Sequence, residues 1–184
     1  MNKIYDYSPN FCLLKRSKKR IKFIIIHYTG MKKELESIKR LQSPKSKVSS
    51  HYLIKKNGEV LILVPDLYEA WHAGLSNWKN HKYLNKNSIG IEITNPGHQY
   101  GYKNFSKKQI FSLKRLLMSL IKKFKIQKKY ILGHSDVSPD RKKDPGEKFP
   151  WEKLAKKGLV WYHNLDSKKI KKFRKVKLTS KSEE

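Results

Sequence analysis

Two histidines and one aspartate stand where a metal-binding site would need them. His27 ends the apolar run at residues 23–26, and His134 follows a shorter run at residues 130–132. Asp144 lies on the loop that leaves His134. A catalytic zinc site takes three protein ligands of these types and leaves the fourth position to water. The spacing therefore predicts a metal-dependent hydrolase with these three residues as ligands.

Each candidate ligand also has a structural interpretation. A single histidine is most often a hydrogen-bonded structural residue, although one left without a partner at a buried strand end would be costly. Asp136 is a competing carboxylate on the same loop, but its position two residues after His134 favours an Asx-type turn that holds the loop. Asp144 precedes Pro145 and Gly146, whose tight turn can direct the carboxylate back toward the histidines. The combination favours the metal site.

Glu92 interrupts an isoleucine-rich run at residues 88–94. On a strand, Ile89, Ile91 and Ile93 share one face, and Glu92 lies on the other. A carboxylate on a sheet face beside the metal would have a raised pKa and could serve as general base toward a zinc-bound water. The alternative is an exposed glutamate on an edge strand.

Lys142 and Lys143 directly precede Asp144 in the same loop. One of these cations could be held over the site, where it would neutralise a tetrahedral oxyanion. Position alone favours the alternative, in which both are solvated loop cations.

The apolar periodicity predicts strands and helices that alternate unevenly. Strands are predicted over residues 22–28, 51–56, 60–65, 88–94 and 130–132. Helices are predicted over residues 33–41, 107–124 and 150–157. Asn57-Gly58 indicates a hairpin between two of the strands, and Ser106 with Gln109 forms a capping box. The pattern predicts an α/β fold: a single domain with a central mixed β-sheet flanked by helices and a zinc site at strand ends.

The composition adds a strong positive charge. The 184 residues include 43 basic and 15 acidic side chains, a formal net charge of +28. An anionic partner (nucleic acid, an acidic membrane face or a wall polymer) and a merely solvated lysine surface explain this charge equally well. The one cysteine, Cys12, excludes an internal disulfide framework. No apolar run is long enough to predict a transmembrane helix, and residues 1–20 lack the apolar core of a signal peptide.

Several segments together resemble the zinc-dependent N-acetylmuramoyl-L-alanine amidases, a family that includes cytoplasmic amidases of cell-wall recycling, an outer-membrane amidase, phage lysozyme-type amidases and animal peptidoglycan recognition proteins. The resemblance covers about residues 20–160 in the family's order. The segments that carry it are Phe-Ile-Ile-Ile-His-Tyr-Thr (23–29), Val-Ser-Ser-His-Tyr-Leu-Ile (48–54), Ala-Trp-His-Ala-Gly (70–74), Asn-Ser-Ile-Gly-Ile-Glu-Ile (87–93) and Gly-His-Ser-Asp…Arg-Lys-Lys-Asp-Pro-Gly (133–146).

The resemblance implies a role for individual residues. It implies that zinc is bound by His27, His134 and Asp144, that Glu92 is the general base and that Lys142 stabilises the oxyanion. It also implies a substrate-binding set, made up of Trp71, His72, Ala73, Asn95 and Arg141. The implied reaction is hydrolysis of the amide between N-acetylmuramic acid, or its 1,6-anhydro form, and L-alanine, by attack of a zinc-bound water.

The resemblance also suggests domain limits, binding partners and a cellular location. We expect an irregular lead-in at residues 1–20, the catalytic domain at 21–162 and a basic, disordered tail at 163–184. The expected partners are peptidoglycan muropeptides, with no specific nucleic acid and a monomeric state. Lack of a recognisable signal or anchor favours a cytoplasmic recycling role. The alternative is a periplasmic or outer-membrane location, because the segment at residues 92–97 resembles the exported subgroup of the family more closely.

Two other classes of function stay open at this point. A non-catalytic receptor for wall fragments would keep the fold, but such relatives usually lack a metal ligand or the base, and here all are present. A basic nucleic-acid-binding protein would explain the charge. The sequence has no stacking-aromatic motif, helix-turn-helix pattern or glycine-rich RNA signature that would support it.

Overall fold

The computed structural model describes residues 3–163. Its strands are β1 (Lys3–Tyr5), β2 (Phe11–Cys12), β3 (Phe23–Tyr28), β4 (Tyr52–Ile54), β5 (Val60–Ile62), β6 (Glu69–Ala70), β7 (Asn77–Trp78), β8 (His81–Lys82), β9 (Ser88–Ile93) and β10 (Ile131–Gly133). Its α-helices are α1 (Glu34–Gln42), α2 (Lys107–Phe124), α3 (His134–Val137) and α4 (Trp151–Lys156). Single 3-10 turns lie at Lys18–Arg20, Pro44–Ser46, Leu84–Asn87, His98–Tyr100 and Lys128–Tyr130.

Six of the strands form one mixed sheet in the order β1-β5-β4-β9-β3-β10. Strands β4, β9, β3 and β10 run parallel to one another, and β5 pairs antiparallel with β4 across the predicted hairpin. The predicted mixed sheet with flanking helices is therefore confirmed. The parallel strands matter for function because they bring several carboxyl-terminal ends to the same edge of the sheet.

The long helix α2 covers one face of this sheet. The predicted capping box is present, since Gln109 N donates to Ser106 Oγ and Ser106 N donates to Gln109 Oε1. The buried leucines of α2 pack against alternate residues of the strands, among them Ile24, Ile26 and Ile91. This period of two leaves the residues between them, including His27 and Glu92, on the opposite face.

The opposite face is only partly covered by apolar residues. One small cluster includes Phe23, Ile25 and Leu132, and another includes Leu41 of α1 and Leu53. Between these clusters the sheet presents polar side chains near the ends of β3, β9 and β10. This gap in the apolar layer is where the candidate site lies.

The irregular lead-in predicted for residues 1–20 was wrong in two places. Lys3–Tyr5 adds a parallel edge strand to β5, and Phe11–Cys12 pairs antiparallel with β6. Arg16 is buried, and its guanidinium donates to backbone carbonyls of Asn85, Ser88 and Asp66. Such short strands are held by backbone hydrogen bonds, so they leave no apolar periodicity in the sequence to detect.

The proposed domain limits stay predictions. Of the basic tail expected at residues 163–184, all but His163 lies outside the described residues. No helix within residues 3–163 has the length and apolar character needed to cross a membrane.

The packing of α2 on the sheet predicts that neighbouring positions of the helix contribute very differently to the free energy of unfolding. Leu117 is fully buried, whereas Met118 beside it is 60% exposed. We expect Leu117→Ala to lower the free energy of unfolding by about 2–5 kcal/mol, because it leaves a cavity in the core. Met118→Ala, the matched control, should change it by less than about 0.5 kcal/mol. Urea unfolding of the three proteins measures this difference, and equal effects would contradict the packing.

Candidate metal centre

Three side-chain atoms meet at the carboxyl-terminal ends of β3 and β10. His27 Nδ1 lies 2.9 Å from His134 Nδ1 and 3.0 Å from Asp144 Oδ2, and His134 Nδ1 lies 3.1 Å from that same oxygen. All three residues are buried. The structure thus brings together the three residues that the sequence singled out, in an arrangement that could hold a metal ion.

The sheet register and one loop contact explain this convergence. Ile26 pairs with Gly133 across the parallel strands, so the residues that follow, His27 on β3 and His134 at the start of α3, lie side by side. The loop that carries Asp144 turns back, and Ser135 N donates to Asp144 O at 2.8 Å. Asp136 lies apart from the cluster: its Oδ2 accepts a hydrogen bond from Gly133 N at 2.7 Å. Asp136 holds the loop as expected, but it does so by accepting from the backbone of Gly133, which precedes it, and not through an Asx turn.

The protonation of these groups fits a cation. His134 Nε2 lies 3.1 Å from Ala73 O. A carbonyl oxygen only accepts, so the neutral ring carries its proton on Nε2 and presents a lone pair at Nδ1. Burial, with His134 next to it, lowers the pKa of His27 to about 4, which leaves that ring neutral. Burial alone would raise the pKa of Asp144, but its contacts with His134 and His27 hold that pKa below its usual range.

These observations test whether the residues suit a metal. Imidazole nitrogen and carboxylate oxygen are the ligands of divalent zinc, and three of them leave one coordination position open. With lone pairs at both Nδ1 atoms and an ionised carboxylate beside them, the three groups would repel one another, and a cation between them would remove that repulsion. The residues therefore fit a divalent cation.

Glu92 lies beside this cluster on the neighbouring strand. It pairs in register with His27 and projects from the same face of the sheet. Strand β9 lies between β4 and β3, so the edge-strand alternative is wrong. The residue is half-buried, but its Oε2 is inaccessible and has no hydrogen-bond partner among the described residues. Burial, with Asp144 nearby, raises the pKa of Glu92 to about 8, against the lowering effect of Lys142 and Arg40.

The cluster and Glu92 line an open pocket of about 880 Å³. Its wall carries several cations, namely Lys32, Lys33, Arg40, Arg141, Lys142 and Lys143, and few acids besides Glu92 and Asp144. Lys142 is half-buried, whereas Lys143 is exposed. The pocket therefore offers a positive rim around a buried pair of carboxylates.

Two of the predicted substrate-binding residues lie in the pocket wall and also brace it. Trp71 lines the pocket, and its Nε1 donates to Cys12 Sγ at 3.4 Å. Arg141 lines it too, and its Nη2 donates to the carbonyls of Ala73 and Leu75. The guanidinium thus holds the segment that carries Ala73, while part of it stays exposed.

Ala73 and Asn95, also predicted to bind substrate, are both buried. Ala73 is fully buried, and its carbonyl orients His134 and Arg141 from behind the site. Asn95 is 2% exposed, and its amide bonds to Lys103 O and Gly97 N. Neither residue lines the pocket. The Ala73 carbonyl and the Asn95 amide make their hydrogen bonds within the protein, and a substrate-binding role for either residue stays a prediction.

His72 lines the pocket and contacts the cluster directly. Its Nδ1 lies 3.1 Å from His27 Nε2, and its Nε2 lies 3.1 Å from Ser88 Oγ. Burial, with His27 and His51 close by, lowers the pKa of His72 well below its ordinary value. His51 has a structural role, since it is fully buried and its Nδ1 accepts from Gly90 N.

The sequence analysis did not identify Ser88. The period of two along β9 places Ser88 on the same face as Gly90 and Glu92, and this was the only feature of the sequence that could have suggested a place for Ser88 near the site. A serine at the start of a strand has no chemical signature of its own, so its contact with His72 emerges only from the structure.

Comparison with known proteins places this geometry in a family. A model of the family described as N-acetylmuramoyl-L-alanine amidase matches residues 17–147. The chain is 39% identical over 152 residues to the N-acetylmuramoyl-L-alanine amidase AmiD of Escherichia coli K12, a match that covers 76% of this chain and 54% of AmiD. It is 42% identical over 108 residues to the 1,6-anhydro-N-acetylmuramyl-L-alanine amidase AmpD of Haemophilus influenzae, covering 58% and 56% of the two chains.

A solved structure is similar over most of the chain. It is the complex of Escherichia coli AmiD with the substrate anhydro-N-acetylmuramic acid-L-Ala-D-gamma-Glu-L-Lys. The TM-score is 0.71 at 34% identity, and the match covers 85% of this chain and 63% of that one. The chain spans about half the length of the curated relatives that it matches.

The raised pKa of Glu92 predicts how the stability of the metal-free protein depends on pH. Burial raises this pKa from 4.5 to about 8, so between these values the folded protein keeps a proton that the unfolded chain releases. The contribution of Glu92 to the free energy of unfolding is therefore complete below pH 4.5 and is lost as the pH rises to about 8.

Urea unfolding of chelator-treated protein across this range should show the loss, and Glu92→Gln should remove it. The remaining ionisable groups are common to both proteins, so their difference isolates Glu92. Parallel pH curves for the two proteins would contradict the raised pKa.

Proposed function

The chain belongs to the N-acetylmuramoyl-L-alanine amidase family, and we propose that it hydrolyses the amide bond between N-acetylmuramic acid, or its 1,6-anhydro form, and L-alanine in peptidoglycan fragments. One observation carries the proposal: His27, His134 and Asp144 converge beside Glu92 in one pocket. The names of the similar proteins, and the substrate bound to one of them, support this choice of bond.

We propose Zn²⁺ as the cofactor, held by His27 Nδ1, His134 Nδ1 and Asp144 Oδ2. Two imidazoles and one carboxylate make a ligand set typical of catalytic zinc. When bound, zinc would polarise the amide carbonyl and lower the pKa of a coordinated water. The proton on His134 Nε2 would keep the Nδ1 atom of that ring directed at the ion.

Glu92 is the proposed proton carrier. Hydrolysis adds a hydroxyl to the carbonyl carbon and a proton to the departing nitrogen of L-alanine. The carboxylate of Glu92 accepts the proton of the attacking water and then gives it to that nitrogen, so the enzyme ends the cycle unchanged. Its buried oxygen and raised pKa support this role, because such a carboxylate takes up a proton near neutral pH.

The cations of the pocket have two proposed roles. Lys142 lies close enough to affect the pKa of both Glu92 and His27, and we assign it to the negative charge that develops on the carbonyl oxygen. Trp71, His72 and Arg141 would contact the substrate from the wall, and the basic rim suits the carboxylates of a stem peptide. Ala73 and Asn95 would act only through the residues they hold.

The cellular setting belongs to the same proposal. Soluble anhydro fragments as preferred substrate would favour the predicted cytoplasmic recycling role, whereas intact muropeptides would favour a periplasmic or outer-membrane location. A monomeric state stays a prediction.

Cleavage of defined fragments tests the proposal. Purified protein is incubated with anhydro-muramyl tripeptide and with intact muropeptide, with and without a chelator, and the products are identified by mass spectrometry. We expect free stem peptide, its loss with chelator and its return when zinc is added back. Bound zinc without cleavage of either substrate would contradict the proposal and favour a receptor.

Two neighbouring lysines give a matched comparison within the active protein. Lys142→Met should lower kcat by about 10²–10³, because one electrostatic donor to the oxyanion is lost. Lys143→Met removes the same charge one residue away, from an exposed side chain, and should leave kcat near the parent value. Steady-state kinetics of both variants measure the contrast, and equal losses would show a general effect of loop charge.

Glu92→Gln keeps the shape of the side chain and removes its basicity. Turnover should fall by about 10²–10⁴ through loss of proton transfer, while the zinc content of the purified protein stays near the parent value. Elemental analysis supplies the second readout. Full activity in this variant would exclude Glu92 as the proton carrier.

A further inference from the structure

We propose that Ser88 and His72 form a hydrogen-bond relay that fixes the tautomer of His27, so that its Nδ1 lone pair is directed at the metal position. His72 is in this view a positioning residue that acts through His27, in addition to lining the pocket wall. The inference rests on the metal site proposed above, but it concerns the protonation of this chain's own side chains and can be tested without turnover.

The relay begins at a hydroxyl whose hydrogen is already used. Ser88 is fully buried, and its Oγ donates to Leu84 O at 2.5 Å. A serine hydroxyl has a single hydrogen to donate, so toward His72 it can only accept. The Nε2 atom of His72, 3.1 Å away, must therefore carry the proton of that contact.

The same assignment of hydrogen-bond donors and acceptors applies to the ring of His72. A neutral imidazole with its proton on Nε2 has a lone pair on Nδ1. His72 Nδ1 faces His27 Nε2 at 3.1 Å, so His27 must donate there. With its proton held on Nε2, His27 presents a lone pair at Nδ1, toward His134 and Asp144.

The backbone around His72 holds the ring in place for this role. Gly90 lies directly beneath it, and a Cβ at that position would approach the ring to 2.4 Å. On the other side of the residue, Asn85 Oδ1 accepts from His72 N and from Ala73 N. The absent side chain of Gly90 and the bracing amide of Asn85 together explain how a histidine ring fits between the strand and the pocket.

The two histidines of the cluster are held by different means. His134 donates to the backbone carbonyl of Ala73, an atom that cannot change its role. His27 depends on a side chain that can itself exist in two tautomers, and Ser88 removes that ambiguity. Without the relay, the His27 proton could move to Nδ1, where Asp144 Oδ2 lies 3.0 Å away as an acceptor.

Three substitutions separate the relay from simple packing. His72→Phe keeps a ring of similar size and removes the acceptor. His72→Asn places an amide oxygen near the former Nδ1 position and should restore the acceptor. Ser88→Ala leaves the ring intact and removes only the group that fixes its tautomer. His81→Phe is the matched control, because His81 packs on Phe23 and lies outside the pocket lining.

The first readout is the tautomer of His27 in the metal-free protein. Two-bond ¹H–¹⁵N correlation spectra at a pH where the ring is neutral distinguish Nε2–H from Nδ1–H. We expect Nε2–H in the parent, in His72→Asn and in His81→Phe, a shift to Nδ1–H in His72→Phe, and a mixture in Ser88→Ala. A purely structural role for His72 would not move this signal.

The second readout is zinc affinity, measured by competition with a chelating dye. His72→Phe should weaken it by about 10–100-fold, as is usual when the partner of a metal-ligating histidine is lost. His72→Asn should recover most of the loss, and His81→Phe should bind as the parent does. If His72→Phe does not fold, Ser88→Ala gives both readouts with a smaller change.

The outcomes are distinct from those of the cleavage assay. The relay would be overturned if His27 carried its proton on Nδ1 in the metal-free parent. It would also be overturned if His72→Phe left both the tautomer of His27 and the zinc affinity unchanged. If His72→Phe does not fold, the same test applies to Ser88→Ala. A protein that shows the expected tautomers and affinities but cleaves no muropeptide would keep the relay and lose the proposed function.

Discussion

Three electron-pair donors are held together in a buried site, and the rest of the structure is arranged around this constraint. His27, His134 and Asp144 approach one another within 3.1 Å at positions that water barely reaches. With lone pairs on both ring nitrogens, the three groups repel one another, because each directs partial or full negative charge at the others. The rigidity of the paired strands helps to hold the three side chains at these positions.

That rigidity comes from the parallel register of three strands. His27 and Glu92 are neighbours because β3 and β9 pair in register, and His134 follows the last pair of β3 with β10. The α2 helix packs on the opposite face and leaves this end of the sheet free for polar groups. Function and core thus use alternate residues of the same strands, so the polar site interrupts the apolar layer on one face only.

The loops around the site are fixed by long-range hydrogen bonds to backbone atoms. Arg141 and His134 both bind the carbonyl of Ala73, and buried Arg16 ties residues near the amino terminus to Asn85 and Ser88. A guanidinium offers several donors in a rigid plane, which suits it to gather carbonyls from different segments. Two of the 43 basic side chains therefore serve the architecture of the site, while others line its rim.

The residues that converge on the site, and the strands that carry most of them, could be predicted from the sequence. Apolar periodicity is a local property, and it sufficed for β3, β9, the hairpin and α2. The position of His27 and His134 after apolar runs, with Asp144 on the following loop, indicated the cluster by the same local logic. Glu92 was assigned correctly to the polar face because the side-chain period of a strand is two.

Only the tertiary structure decided which atoms meet. His134 is partnered by Ala73 and His27 by His72, which in turn contacts Ser88. The two residues in each of these contacts are distant from each other in sequence, and no periodicity encodes such contacts. For the same reason the internal hydrogen bonds of buried Ala73 and Asn95 could not be predicted, and the edge strand at Lys3–Tyr5 was missed. Local patterns reflect which side of an element is covered, whereas hydrogen-bond direction depends on neighbours brought close by folding.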